Sequence, residues 1–173
     1  MVAPLAASSR PLSALLLDFN SYFASVEQQL RPELRGKPVG ILPVLAETTC
    51  CIAASYEAKR FGVKTGTSVA DARRLCPGIV FVQARPPVYV DMHHRLLGII
   101  NQVIEITEVL SIDEVVCDLT GSWQREDVAV QLASEAKRRI RAEGGECLTS
   151  SVGIGPNRFI AKMASNMHKP DGL

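Results

Sequence analysis

Ser111-Ile112-Asp113-Glu114, followed at once by Val115-Val116-Cys117, sets two adjacent carboxylates between apolar segments. An unpaired charge is strongly disfavoured in an interior, so these acids either stand solvated at a strand end or face a cation. A companion lies near the N-terminus: Leu15-Leu16-Leu17-Asp18, a short apolar run that ends in a third carboxylate. Oxygen-rich donor sets suit the hard Mg²⁺ ion. Composition alone leaves both readings open.

The surrounding pattern decides whether the three acids meet. Ala14 to Leu17 reads as a buried strand, and Tyr22, Val26 and Leu30 mark a short helix ended by Pro32 and the Gly36-Lys37-Pro38 turn. Strands are predicted over 39–42 and 50–53, then a two-turn helix from Tyr56 to Phe61 stopped by Gly62. Ser68-Val69-Ala70-Asp71 has capping-box spacing for another short helix, and 79–82 is one more strand. Pro86-Pro87 opens a long helix with an apolar stripe through Tyr89, Met92, Leu96, Ile99 and Val103. Strands 109–112 and 115–119 flank the acidic pair as a tight hairpin. A helix over 126–143 repeats Val128, Leu132, Ala136 and Ile140, begins with acids, finishes with bases and stops at Gly144-Gly145. Leu148 to Ile154 alternates as a half-buried strand, and Pro156 opens a last helix with Phe159, Met163 and Met167 on one face.

With residues 22–85 set aside, the order is strand, helix, strand, strand, helix, strand. That is the βαββαβ unit of ferredoxin-like α+β sheets. Its first and third strands are antiparallel neighbours at the sheet centre, so the end of strand one brings Asp18 beside Asp113 and Glu114. Topology therefore gathers the three acids and favours the metal reading.

Composition bounds the rest. A chain of 173 residues, 47% hydrophobic and 21% charged, fits one folded domain or one domain with an insertion. Residues 1–11, rich in Ala, Ser and Pro, are expected to be disordered at the tip. Five cysteines without C-x-x-C spacing read as reduced thiols of a cytoplasmic protein. No apolar run reaches the ~18 residues of a membrane helix, and Asp18 cuts short the faint signal-peptide look of Leu12 to Leu17. The net charge of +1 says little, although seven bases against three acids from Lys137 onward make a mild basic bias.

Three acids on such a sheet can hold two Mg²⁺ ions, one activating a hydroxyl and one neutralising leaving phosphates. Tyr56 and Lys59, one turn apart, and Lys162 in the last helix are candidates for gripping a triphosphate, or else solvated surface residues. His93 and His94 have no third ligand in view and read as surface or packing residues. Gly153 and Gly155 either approach a phosphate or make a tight turn.

Five motifs resemble those of the Y-family translesion DNA polymerases, in the family's order from Ala14 to Gly172. They are Asp18-Phe19-Asn20-Ser21-Tyr22-Phe23-Ala24-Ser25-Val26-Glu27, Gly36-Lys37-Pro38-Val39, Tyr56-Glu57-Ala58-Lys59-Arg60-Phe61-Gly62-Val63, Ser111 to Glu114, and Ala161-Lys162 through Lys169-Pro170-Asp171-Gly172. Asn20 and Cys117 to Gly121 are similar to the polymerase V branch, and the remainder also resembles the polymerase IV branch. The resemblance implies a ferredoxin-like palm over 1–20 and 86–173, an inserted fingers subdomain over 21–85, and thumb and little-finger domains absent from these residues. It implies two Mg²⁺ ions held by Asp18, Asp113, Glu114 and the Phe19 carbonyl. Phe23 falls at the steric-gate position that excludes a ribose 2′-OH. Tyr56, Lys59 and Lys162 fall at triphosphate-contacting positions, and Cys50 and Ile52 on a strand that roofs the nascent base pair. The implied partners are primer-template DNA, dNTP, and the sliding clamp with other SOS proteins. The family often has Asp at Asn20, Arg at Lys59 and Thr at Ala53.

The expected function is template-directed deoxynucleotide transfer to a primer 3′-OH in DNA damage tolerance. The alternatives are a non-catalytic scaffold of a mutagenesis complex, which would lose the acids kept here, and a nucleotide cyclase, which would not need the inserted segment.

Overall fold

All six residues of β1 (Ala14–Phe19) are buried, as a strand covered on both faces requires. The computed structural model describes residues 11–173, and the expectation of a disordered tip falls on residues outside that range. β1 runs two residues past the apolar run and carries Asp18 within it. It pairs antiparallel with two later strands. These are β6 (Glu114–Asp118) and β7 (Ser150–Gly155), and a two-residue β5 (Glu108–Val109) lies outside β6, giving the order β5-β6-β1-β7. Within this sheet that is second, third, first, fourth, the ferredoxin-like arrangement that the strand order predicts.

Alternation divides β1 between two cores. Leu15, Leu17 and Phe19 pack with Val115 and Cys117 against α4 (Pro86–Asn101) and α5 (Glu126–Arg139), through Tyr89, Leu96, Ile100, Ala129 and Ala133. Ala14 and Leu16 face the other way and pack with Val116 and Ala161 of α6 (Arg158–Met167). Asp18 and Glu114 follow the second set by period two, so both acids come out on the α6 face.

Residues between β1 and α4 begin with α1 (Tyr22–Leu30) and build a second sheet. β2 (Val39–Leu42) pairs antiparallel with β3 (Ala53–Ala54) and parallel with β4 (Val80–Gln83). Two short helices, α2 (Tyr56–Lys59) and α3 (Val69–Leu75), cover it with a small core of Leu42, Ala58, Val63, Val69 and Ala72. Ser68 caps α3 by accepting the Asp71 amide at 3.1 Å and donates to the Asp71 carboxylate, as the capping-box spacing predicts.

Several elements differ from expectation for identifiable reasons. The strand expected over 50–53 is reduced to Ala53–Ala54, because Cys51 bonds through its main chain to Gly66 and Thr67, and Cys50 makes only an isolated bridge to Ser68. The acidic hairpin is tighter on its first side. Leu110 and Ser111 both donate to the Glu114 carbonyl, so β5 ends at Val109, residues 110–113 form the turn, and Glu114 opens β6. α5 presents Ala129, Ala133 and Ala136 to the sheet with Val128 and Leu132 at its flank, then widens into a π turn over Ile140–Gly144. β7 is covered on both faces rather than half-buried, since α6 packs on it. α6 itself is capped by Asn157, whose side chain accepts the Ile160 amide at 2.9 Å, and not opened by Pro156. Its apolar face is the outer one, with Phe159 71% and Met167 72% exposed. The packed side is Ala161 and Ser165, set against Gly153, where any Cβ would overlap the Ala161 carbonyl and the Ser165 amide. Gly153 is thus a helix-packing residue and not a phosphate turn.

Candidate active site

The two sheets border one cleft of about 270 Å³. Asp18, Phe19, Phe23, Ile52, Tyr56, Lys59, Asp113, Glu114 and Lys162 of the predicted site line it. Cys50 does not: it is exposed beside its bridge to Ser68. Lys169, to which no role was assigned from sequence, lines it as well.

The acids are placed by the central strand pair. Asp18 is directly opposite Glu114 in the β1–β6 register, and the Phe19 amide donates to the Asp113 carbonyl at 2.8 Å. Phe19 lines the cleft while its ring is buried in the core. The turn that carries Asp113 is held from two sides. Ser111 Oγ donates to Asp113 Oδ1 at 2.7 Å, and His93 of α4 places Nδ1 2.9 Å from the Ile112 carbonyl. His93 is therefore a buried brace of the acidic turn, while its neighbour His94 is exposed. Spacing alone gives no sign of that brace, because α4 and the turn meet only in the folded chain.

Two ammonium groups stand on these acids. Lys162 Nζ lies 2.6 Å from Asp18 Oδ2 and 2.7 Å from Glu114 Oε1, and Lys169 Nζ lies 2.6 Å from the same Asp18 oxygen. Burial alone would lower the Lys162 pKa, but the hydrogen bonds to Asp18 and Glu114 outweigh it and the net shift is upward. Among the described residues, no three His, Cys, Asp or Glu side chains already converge as a ligand group. The donor chemistry nevertheless fits a hard divalent cation: three carboxylates line one cleft, and cationic groups already balance two of them.

On the opposite wall, Lys59 Nζ sits 4.4 Å from the Tyr56 ring centroid as a cation–π pair. Burial and then the like charge of Lys169 push the Lys59 pKa down, with Asp18 partly offsetting them. Both effects would be relieved by an anion in the cleft. Ser21, at φ 47°, is one of two described non-glycine residues in the left-handed region, and its hydroxyl, buried at the cleft wall, has no hydrogen-bond partner among the described residues. Such strain costs about 1–3 kcal/mol and concentrates at functional sites.

Asn20 is not among the residues that line the cleft. The Ser150, Ser151 and Asp171 amides converge on one end of its carboxamide, so that end is the oxygen, and the nitrogen donates to Ser151 Oγ at 2.9 Å. Asn20 therefore ties β1 to β7 and to the loop that carries Lys169, and an acid at this position would find the same donors.

Phe23 lies on the cleft wall with its ring stacked on Tyr89, centroids 4.5 Å apart and planes 17° off parallel.

Residues 17–166 match the impB/mucB/samB family. The chain is 44% identical over 167 residues to DNA polymerase IV of Moorella thermoacetica, covering 95% of this chain and 41% of that protein. It is 41% identical over 157 residues to DNA polymerase IV of Bacteroides fragilis, covering 91% and 42%. Among solved structures it is similar to an insertion ternary complex of Dbh DNA polymerase, with a TM-score of 0.84, 32% identity, and coverage of 93% of this chain and 47% of that one. A Y-family chimera of Dbh and Dpo4 superposes with a TM-score of 0.85 at 31% identity, over 93% of this chain and 47% of that one. The chain thus spans less than half the length of these relatives.

Proposed function

The chain belongs to the impB/mucB/samB family of Y-family DNA polymerases, and from that premise we propose that it carries the nucleotidyl-transfer site of a template-directed DNA polymerase. The reaction is transfer of a deoxynucleotide from dNTP to a primer 3′-OH, in DNA damage tolerance. One observation carries this reading: three carboxylates at the end of the β1–β6 pair, three lysines, Tyr56 and the stacked Phe23 line a single cleft. In this reading residues 1–20 and 86–173 are the palm and 21–85 the fingers, the cleft being their junction.

The residues divide the work by charge. Asp18, Asp113, Glu114 and the Phe19 carbonyl would hold two Mg²⁺ ions, which when bound lower the pKa of the primer hydroxyl and offset charge on the departing pyrophosphate. Tyr56 and Lys59 face them across the cleft and are suited to the triphosphate, a hydroxyl donor beside an ammonium. Lys162 and Lys169 hold Asp18 in place and supply further positive charge for phosphate oxygens. Phe23 sits where a flat ring under the deoxyribose leaves no room for a 2′-OH. Ile52 lines the cleft and is suited to cover the nascent base pair, whereas Cys50 is exposed and does not line it.

Reduced thiols fit a cytoplasmic enzyme: all five cysteines are free, and burial raises Cys117 to about 12. No helix among the described residues is long and apolar enough to cross a membrane. We assign primer-template DNA and dNTP as ligands, and the sliding clamp and SOS proteins as partners of the full-length protein. The test is Mg²⁺-dependent primer extension by the full-length protein and its Asp113→Ala variant. Extension by the parent and a loss of at least about a thousandfold in the variant is expected, since the acid acts in the chemical step. Equal extension by both would overturn the assignment.

A further inference from the structure

Glu27 is a carboxylate with no exposed surface, and the cleft does not include it. It lies one turn beyond Phe23 on α1. Four donors surround it. Arg85 Nε and Nη2 donate to its two oxygens at 2.9 and 2.7 Å, the Tyr89 hydroxyl donates to Oε1 at 3.0 Å, and Arg31 Nε lies 3.3 Å from Oε2. Arg85 and Tyr89 are themselves one turn apart at the start of α4. The result is a closed frame: Phe23 and Glu27 on one helix meet Tyr89 and Arg85 on the other. One corner is the Phe23–Tyr89 stack and the other is the carboxylate. A further bond from the Tyr22 hydroxyl to the Tyr89 carbonyl, at 2.7 Å, fixes the tyrosine's main chain.

A gate works only if its ring cannot yield. Phe23 has no polar atom with which to resist a sugar oxygen, so its resistance depends on what stands behind it. Tyr89 stands there, and its ring is immobilised at the far end by a charge-assisted hydrogen bond. Building on the gate reading of Phe23, we propose that Glu27 is a positioning residue for sugar selection, bracing the Tyr89 ring on which Phe23 rests. Arg31 ends α1 itself, so a buried acid used only to join α1 to α4 would need Arg85 alone. The third donor, on the ring that backs the cleft wall, links the acid to selectivity.

The experiment measures kcat/KM for CTP and for dCTP opposite template G in the full-length protein. The variants are Phe23→Ala, Tyr89→Phe, Glu27→Gln and, as a core control, Ile140→Val. Tyr89→Phe keeps the stack and removes only the bond to Glu27, so it folds even where Glu27→Gln fails. The ribo-to-deoxy ratio is expected to rise about threefold to tenfold in Tyr89→Phe, the effect of loosening one charge-assisted hydrogen bond. Folded Glu27→Gln, which retains a weaker acceptor, rises by no more than that. Ile140→Val loses melting temperature with the parent's ratio, separating stability from selectivity. A raised ratio in Phe23→Ala with the parent's ratio in Tyr89→Phe overturns the bracing role and leaves the gate standing. No rise in Phe23→Ala overturns the gate and this inference together.

Discussion

The residues of the cleft make opposite demands on substitution. On the proposed gate reading, Phe23→Ala opens the space under the sugar, so ribonucleotide incorporation should rise by at least about tenfold, more than 1.4 kcal/mol of discrimination, with deoxynucleotide incorporation largely kept. Single-nucleotide insertion kinetics with matched CTP and dCTP read this directly, and equal ribonucleotide rejection by mutant and parent would remove Phe23 from the sugar. Asn20→Asp should be tolerated, because the Ser150, Ser151 and Asp171 amides already point at one oxygen of this side chain. The expected result is a melting temperature within a few degrees of the parent, about 1 kcal/mol or less. A severe loss would show that the bond to Ser151 Oγ, which needs a donor or a rotated hydroxyl, outweighs the three amides.

At the scale of elements, α6 is held by how closely it approaches β7. Gly153→Ala drives a methyl into the main chain of Ala161 and Ser165, and backbone cannot turn aside as a side chain can. Overpacking of this kind costs about 1–3 kcal/mol or more, and displacing α6 moves Lys162 off Asp18. Urea unfolding of Gly153→Ala should therefore show a clear loss, while Met163→Gln on the exposed outer face of the same helix should change stability by no more than about 0.5 kcal/mol. If both variants unfolded at the parent's midpoint, the close approach would not be what holds the helix. The short α3 depends instead on its cap, so Ser68→Ala should cost about 1 kcal/mol in the same assay.

As a whole molecule, the chain combines two sheets with separate small cores and a shared cleft. The larger core, from Leu15 to Val152, buries enough side chains for a domain of ordinary size. Tested alone, residues 1–173 should unfold cooperatively and bind primer-template DNA weakly and with strong salt dependence. Affinity for duplex comes mainly from many phosphate contacts, whereas the net charge is +1 and two of the three cleft lysines, Lys162 and Lys169, sit on carboxylates. Fluorescence anisotropy across a salt series checks this, and tight, salt-insensitive binding would place the DNA grip within these residues.

The sequence by itself determined the sheet: four runs of strand character in the order strand, helix, strand, strand, helix, strand leave the ferredoxin-like order as the solution, and that order pairs Asp18 with Glu114. Period-two alternation then fixes the face on which both emerge. Helix caps and stops at Ser68 and Gly145 were legible for the same reason, being local in the chain. What only the tertiary structure decided lies in contacts between residues far apart in sequence. Periodicity marks Phe159, Met163 and Met167 as one face of α6 but cannot say which face the sheet will take; the flat Gly153 surface took the small residues. Nothing local marks Glu27 for burial; Arg85 and Tyr89, more than fifty positions away, allow it to be fully buried. Lys162 reads as a solvated or phosphate-facing lysine and Lys169 has no assigned role, yet the fold set both on Asp18. Local preferences scale with neighbours in the chain, whereas the environment of a charge is set by whatever folding brings to it.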